Sequence, residues 1–110
     1  MGNGASILKL SELERKELFP GARARFVHSD HMTLAHWEFE AGVLLPEHSH
    51  PHEQITNILD GVFELTIEGR PHRLEAGVMA VIPPDARHSG KAISDCRLFD
   101  VFYPVREDFR

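Results

Sequence analysis

The sequence predicts an all-β domain, a sandwich or small barrel preceded by a short helical or irregular segment. Two observations carry that prediction. From Arg23 onward, turn signals built on glycine and proline recur at the spacing of about 8–12 residues typical of short antiparallel strands. No stretch keeps a helical period long enough to compete. A length of 110 residues holds one domain, divided here into a leader over 1–22 and a β-domain over 23–110.

The elements follow in order. Residues 1–6, MGNGAS, read as a leader. Gly2 with Ser6 also fits an N-myristoylation pattern, but the pattern is short and Gly/Ser leaders are common. Residues 11–19 suit one or two helical turns, because Ser11 and Glu14 have capping-box spacing, and Pro20-Gly21 ends them. Strands are expected over 23–29, 32–39, 43–45, 54–59, 62–67, 70–74, 78–82, 88–91 and 96–103. Asp60-Gly61 between the fourth and fifth of these segments is a strong hairpin signal. Glu68-Gly69, Ala76-Gly77 and Pro83-Pro84-Asp85 break the later segments, and Pro104 ends the last.

Composition excludes several classes. The formal net charge of -5 lacks the basic balance of a nucleic-acid binder. No apolar run approaches the roughly 18–20 residues of a membrane span, and no secretory h-region follows Met1. The single Cys96 rules out an internal disulfide framework and a cysteine-based zinc cluster. A soluble cytoplasmic protein is expected. A chain this short buries only roughly 60–68% of its unfolded surface, so association would help its thin core. A homodimer is expected, with the strand over 23–29 available for exchange or edge pairing. A monomer-sized species in sedimentation would contradict it.

Eight histidines stand out, since imidazole is the commonest protein ligand for metals. His48 and His50 lie two apart, which on a strand puts both rings on one face. Gln54 opens the next strand, and His88 follows the Pro83-Pro84 break. Three imidazoles and one carboxamide oxygen would make a four-ligand set for one divalent ion: manganese, iron, cobalt, nickel or zinc. Histidines at alternate strand positions are more often surface residues, so the pair alone decides nothing. Glu53 is a possible substitute ligand, but it has the wrong strand parity relative to His48 and His50. His52 has the right parity and lies too far along an extended strand to share the ion. It reads as a pocket residue beside the site or as exposed. His28, His31, His36 and His72 carry no spacing signal and read as strand-end or surface residues.

The spacing between these residues resembles the two motifs of the cupin superfamily. The first runs Gly42, five residues, His48-Ser49-His50, three residues, Gln54, six residues, Gly61. The second runs Gly77, five residues, Pro83-Pro84-Asp85, two residues, His88, three residues, Ala92. Gln54 replaces the usual glutamate, Asp85 a glycine and Ala92 an asparagine. The resemblance implies a single cupin-type jelly-roll barrel around one ion, often paired as a dimer. With Gln54 neutral, a divalent ion there would keep its full charge, which favours an anionic, carboxylate-bearing ligand.

The C-terminal segment is a second cluster. Asp100 is a carboxylate in an otherwise apolar strand, costly unless paired, functional or pointing at water. Arg106 could fork onto a carboxylate, or simply pair with Glu107 or Asp108. Asp100, Phe102, Pro104 and Arg106, with Gln54 in the glutamate position, resemble the KdgF-type pectin-degradation cupins. That resemblance implies an isomerase that opens 4,5-unsaturated uronates, released by polysaccharide lyases, to linear keto acids. It implies His48, His50, Gln54 and His88 as metal ligands and Asp100 as the proton-transfer residue. Arg106 would hold the substrate carboxylate and Phe102 would pack on the sugar, with His52 beside them. Two other readings compete. One is a metal-dependent dioxygenase or other cupin isomerase, and the other is a non-enzymatic sugar-acid binding module.

Overall fold

The computed structural model describes residues 4–110, so the acylation pattern at Gly2 lies outside the described residues. Among the described residues, ten strands form two antiparallel sheets. They are β1 Lys16–Phe19, β2 Ala22–His28, β3 Thr33–Phe39, β4 Leu44–His48, β5 Glu53–Asp60, β6 Val62–Ile67, β7 Arg70–Glu75, β8 Met79–Ile82, β9 His88–Ala92 and β10 Cys96–Tyr103. The larger sheet runs β1-β2-β3-β10-β5-β8 and the smaller β4-β9-β6-β7. The all-β expectation holds, and the expected turns hold with it. Gly61 takes φ +81, and a Cβ there would run into the Asp95 carbonyl oxygen, so only glycine serves this hairpin.

Two local expectations fail. Leu10–Glu12 form a single 3-10 turn, but Lys16–Phe19 form strand β1 rather than a helix. Pairing with β2, Lys16 opposite Ala24 and Phe19 opposite Ala22, overrides the helical propensity of this stretch. The same pairing removes the predicted free edge over 23–29, because β2 lies between β1 and β3.

Period 2 sets the core. Along β10, Cys96, Leu98, Asp100 and Phe102 are buried, and along β5, Gln54, Thr56 and Ile58. Register places Gln54 beside Phe102, Thr56 beside Asp100 and Ile58 beside Leu98. Trp37, Phe39, Phe63 and Leu65 fill the space between the sheets, with Trp37 stacked on Phe39 at 5.1 Å. The polar rows of β5 and β10 therefore face the same interior as the aromatic core. Among the described residues, no helix is long and apolar enough to cross a membrane.

Candidate metal centre

His48 closes β4 and His88 opens β9, and the two pair directly across the small sheet. Their rings lie 4.2 Å apart. His50 is not on a strand: β4 stops at His48, and the chain turns inward to place the His50 ring 5.0 Å from His88. The pair thus converges through a loop rather than through strand pleat. The Asp85 amide donates to the His50 carbonyl at 2.9 Å, which ties this loop to the one before His88. The ligand-capable atoms of His48, His50 and His88 all fall within 4.8 Å of one another.

Hydrogen bonds orient the rings. Each Nδ1 donates to a backbone carbonyl: His48 to Pro46 at 2.9 Å, His88 to Ala86 at 2.9 Å and His50 to His52 at 3.1 Å. These acceptors hold the proton on Nδ1 and leave each Nε2 with a lone pair, as metal-binding imidazoles require. Burial, with the Arg106 charge and then His88, pushes the His50 pKa down to about 4. Burial also lowers that of His88, against the Ala86 hydrogen bond. Both rings are neutral at pH 7.

Two observations test whether a cation fits. The buried Nε2 of His88 has no hydrogen-bond partner, a rarity in folded proteins. The His50 Nε2 lies 3.0 Å from Gln54 Oε1. With the single His50 proton on Nδ1, those two atoms are lone pairs facing each other with no proton between them. A cation resolves both conflicts. Three imidazole nitrogens and one amide oxygen suit a first-row divalent ion.

Gln54 is buried on β5, while Glu53 is exposed and faces away. The Gln54 amide N–H donates to Thr56 Oγ1 at 3.0 Å, and the Thr56 hydroxyl donates to Asp100 Oδ1 at 2.6 Å. Asp100 is 8% exposed in the middle of the large sheet, not at a wet edge. Burial pushes its carboxyl up to about 6, against hydrogen bonds from Thr56, Gln54 and Trp37 and the Arg106 charge.

Arg106 does what the plainer reading of the sequence expected. Its Nε and Nη2 donate to the two Asp108 oxygens at 3.0 and 2.7 Å. Its guanidinium lies 4.7 Å from the Phe102 ring centre and 4.2 Å from that of Phe109. Phe102 meets the His50 ring edge-on at 5.7 Å. His52 is half-buried with its ring 5.4 Å from His50, and its backbone carbonyl, not its ring, holds that imidazole. Of the remaining histidines, His31 and His72 are exposed and His28 ends β2. His36 departs from expectation: it is 7% exposed on the outer face of β3, with Nδ1 unpartnered. Arg25 lies beside it across the ladder, and Leu13 caps that arginine from the N-terminal segment.

Part of this set lines one cavity of 310 Å³. Its polar wall holds His48, Gln54, Thr56, His88, Ser89, Asp100 and Arg106, and the rest is largely apolar, including Trp37 and Phe63. Sequence reasoning missed Thr56. Thr56 shares strand parity with Gln54, and that was the signal available.

Comparison with known proteins agrees with this geometry. The cupin domain family model matches residues 35–102, which carry His48, His50, Gln54, His88 and Asp100. The chain belongs to the cupin family. The cupin chain superimposes on KdgF from Halomonas sp. with a TM-score of 0.92 and 27% identity, covering 97% of this chain and 100% of that one. An RmlC-like cupin from Shewanella frigidimarina gives 0.92 at 23% identity, with 97% of each chain covered. Enzymes share the fold: oxalate decarboxylase from Bacillus subtilis superimposes with a TM-score of 0.81 at 18% identity, over 94% of this cupin and 31% of that chain. No curated protein matches the sequence.

Proposed function

We propose that this cupin is a metal-dependent isomerase that opens 4,5-unsaturated uronates to linear keto acids. One observation carries the reading. A buried carboxyl, Asp100, pushed up to about 6 by burial, lines one cavity with His48, His88 and Arg106, beside the point where the three imidazoles converge. A group poised near neutral pH can take a proton and return it. The likeness to KdgF from Halomonas sp. and the sequence resemblance stated above support the same reading.

His48, His50, Gln54 and His88 would hold the ion, which supplies positive charge to stabilise oxygen anions. Asp100 removes the proton of the anomeric hydroxyl. The ring carbon–oxygen bond breaks, an aldehyde forms, and the electron pair passes to the ring oxygen as an enolate. Asp100 then delivers the proton to the enolate carbon and leaves a ketone. Atoms balance, and nothing is oxidised or reduced. Arg106 binds the substrate carboxylate and Phe102 covers the sugar face. The proposed setting is the cytoplasm and the proposed assembly a homodimer.

The test mixes the metal-loaded protein with lyase-generated unsaturated galacturonate and follows loss of the ultraviolet band. Asp100→Asn should lower kcat by about 100-fold or more, with KM little changed. Turnover of that variant at the wild-type rate removes Asp100 from the mechanism. The largely apolar remainder of the cavity favours a second reading, an oxygenase for a small aromatic acid. Oxygen consumption by the iron-loaded protein would select it.

A further inference from the structure

We infer that Thr56 is a positioning residue that decides which end of the Gln54 amide faces the ion. The inference rests on the metal-centre reading and not on the identity of the substrate. An amide differs from a carboxylate in one respect that matters here. Its two ends have the same shape and opposite hydrogen-bonding character, and only the oxygen can bind a cation. A glutamine ligand therefore needs something to tell its ends apart, and a glutamate does not.

Thr56 supplies that distinction. Its hydroxyl has one proton, which goes to Asp100 Oδ1 across 2.6 Å. The Thr56 oxygen can then only accept from the amide 3.0 Å away, so the atom beside it must be Nε2. The amide oxygen is thereby turned toward the His50 Nε2, 3.0 Å off. The relay reads in one direction, from amide to hydroxyl to carboxylate. All three groups are buried, where the reversed amide would set Oε1 against the Thr56 oxygen with no proton between them. Register explains why they meet: Thr56 sits one inward position along β5 from Gln54 and directly across the ladder from Asp100. The proton-transfer carboxyl and the glutamine ligand are thus linked through the Thr56 hydroxyl.

The test is nickel(II) binding to the metal-free chain by calorimetry, with no substrate present. Thr56→Val should weaken binding by about 10- to 100-fold, the range for lost partners of metal ligands. Thr56→Ser keeps the hydroxyl and should stay within about threefold of wild type. The deciding comparison uses Gln54→Glu, whose carboxylate has equivalent ends. In that background Thr56→Val should cost less than about threefold. Equal losses in both backgrounds would show that Thr56 acts by packing alone and would overturn the inference. So would wild-type affinity in Thr56→Val. If the wild-type chain takes up no nickel, or His88→Ala binds it unchanged, the metal centre itself fails and the inference falls with it. Failure of the uronate reading alone would leave these affinities as stated.

Discussion

His50 and Asp100 carry opposite protonation shifts around the same site. His50 stays neutral in the fold down to about 4 against an ordinary 6.5, so between those values the unfolded chain holds the extra proton and stability rises with pH. The lowered values of His88 and His36 act in the same direction. Asp100 stays protonated in the fold up to about 6 against an ordinary 3.8, so in that window the folded chain holds the extra proton and stability falls with pH. The carboxyl thus masks part of the histidine dependence. In metal-free Asp100→Asn, urea unfolding between pH 4.5 and 6 should show stability rising more steeply with pH than in wild type. The added slope is at most about 1.4 kcal/mol per pH unit. An unchanged slope would mean that Asp100 is ionised throughout that range. The residues themselves show what sequence can and cannot reveal. Spacing singled out His48, His50, Gln54 and His88, and the fold brings the three imidazoles together with Gln54 beside His50. Spacing missed the burial of His36, because parity gives the face of a strand and not what lies over it.

At the scale of elements, the tight turns carry the topology. Gly61 holds β5 to β6 with a positive φ, and the Asp95 carbonyl packs where a side chain would begin. Gly61→Ala should therefore destabilise the fold by about 2–4 kcal/mol, combining the left-handed backbone cost with the clash. Chemical denaturation reads it directly. A loss below about 0.5 kcal/mol would mean the loop after Ser94 yields freely. Such turns were legible in the sequence because Asp-Gly and Pro-Pro have few conformational alternatives. Strand β1 was not. Glu14 through Leu18 favour a helix locally, and only the neighbour β2, supplied by the tertiary fold, makes extension the better choice. The inward turn after His48 was equally hidden, since nothing in His48-Ser49-His50 announces where the ladder stops.

For the molecule as a whole, the candidate ligands straddle the two sheets. His48 and His88 belong to the small sheet, His50 to the loop between the sheets and Gln54 to the large one. An ion held by all four would pin the two sheets together. At free metal about a hundredfold above Kd, linkage adds ~2.7 kcal/mol of stability. The Tm should accordingly fall by about 10 °C or more when the metal-loaded protein is stripped with a chelator, and recover on reloading. A Tm indifferent to chelation would place the ion, if any binds, outside this junction.

The guanidinium of Arg106, lodged between Phe102 and Phe109, already grips a carboxylate from its own tail. An acid bound by Arg106, as proposed, would either displace Asp108 or use the guanidinium N–H donors that Asp108 leaves free. A neutral sugar has no carboxylate with which to compete for that fork.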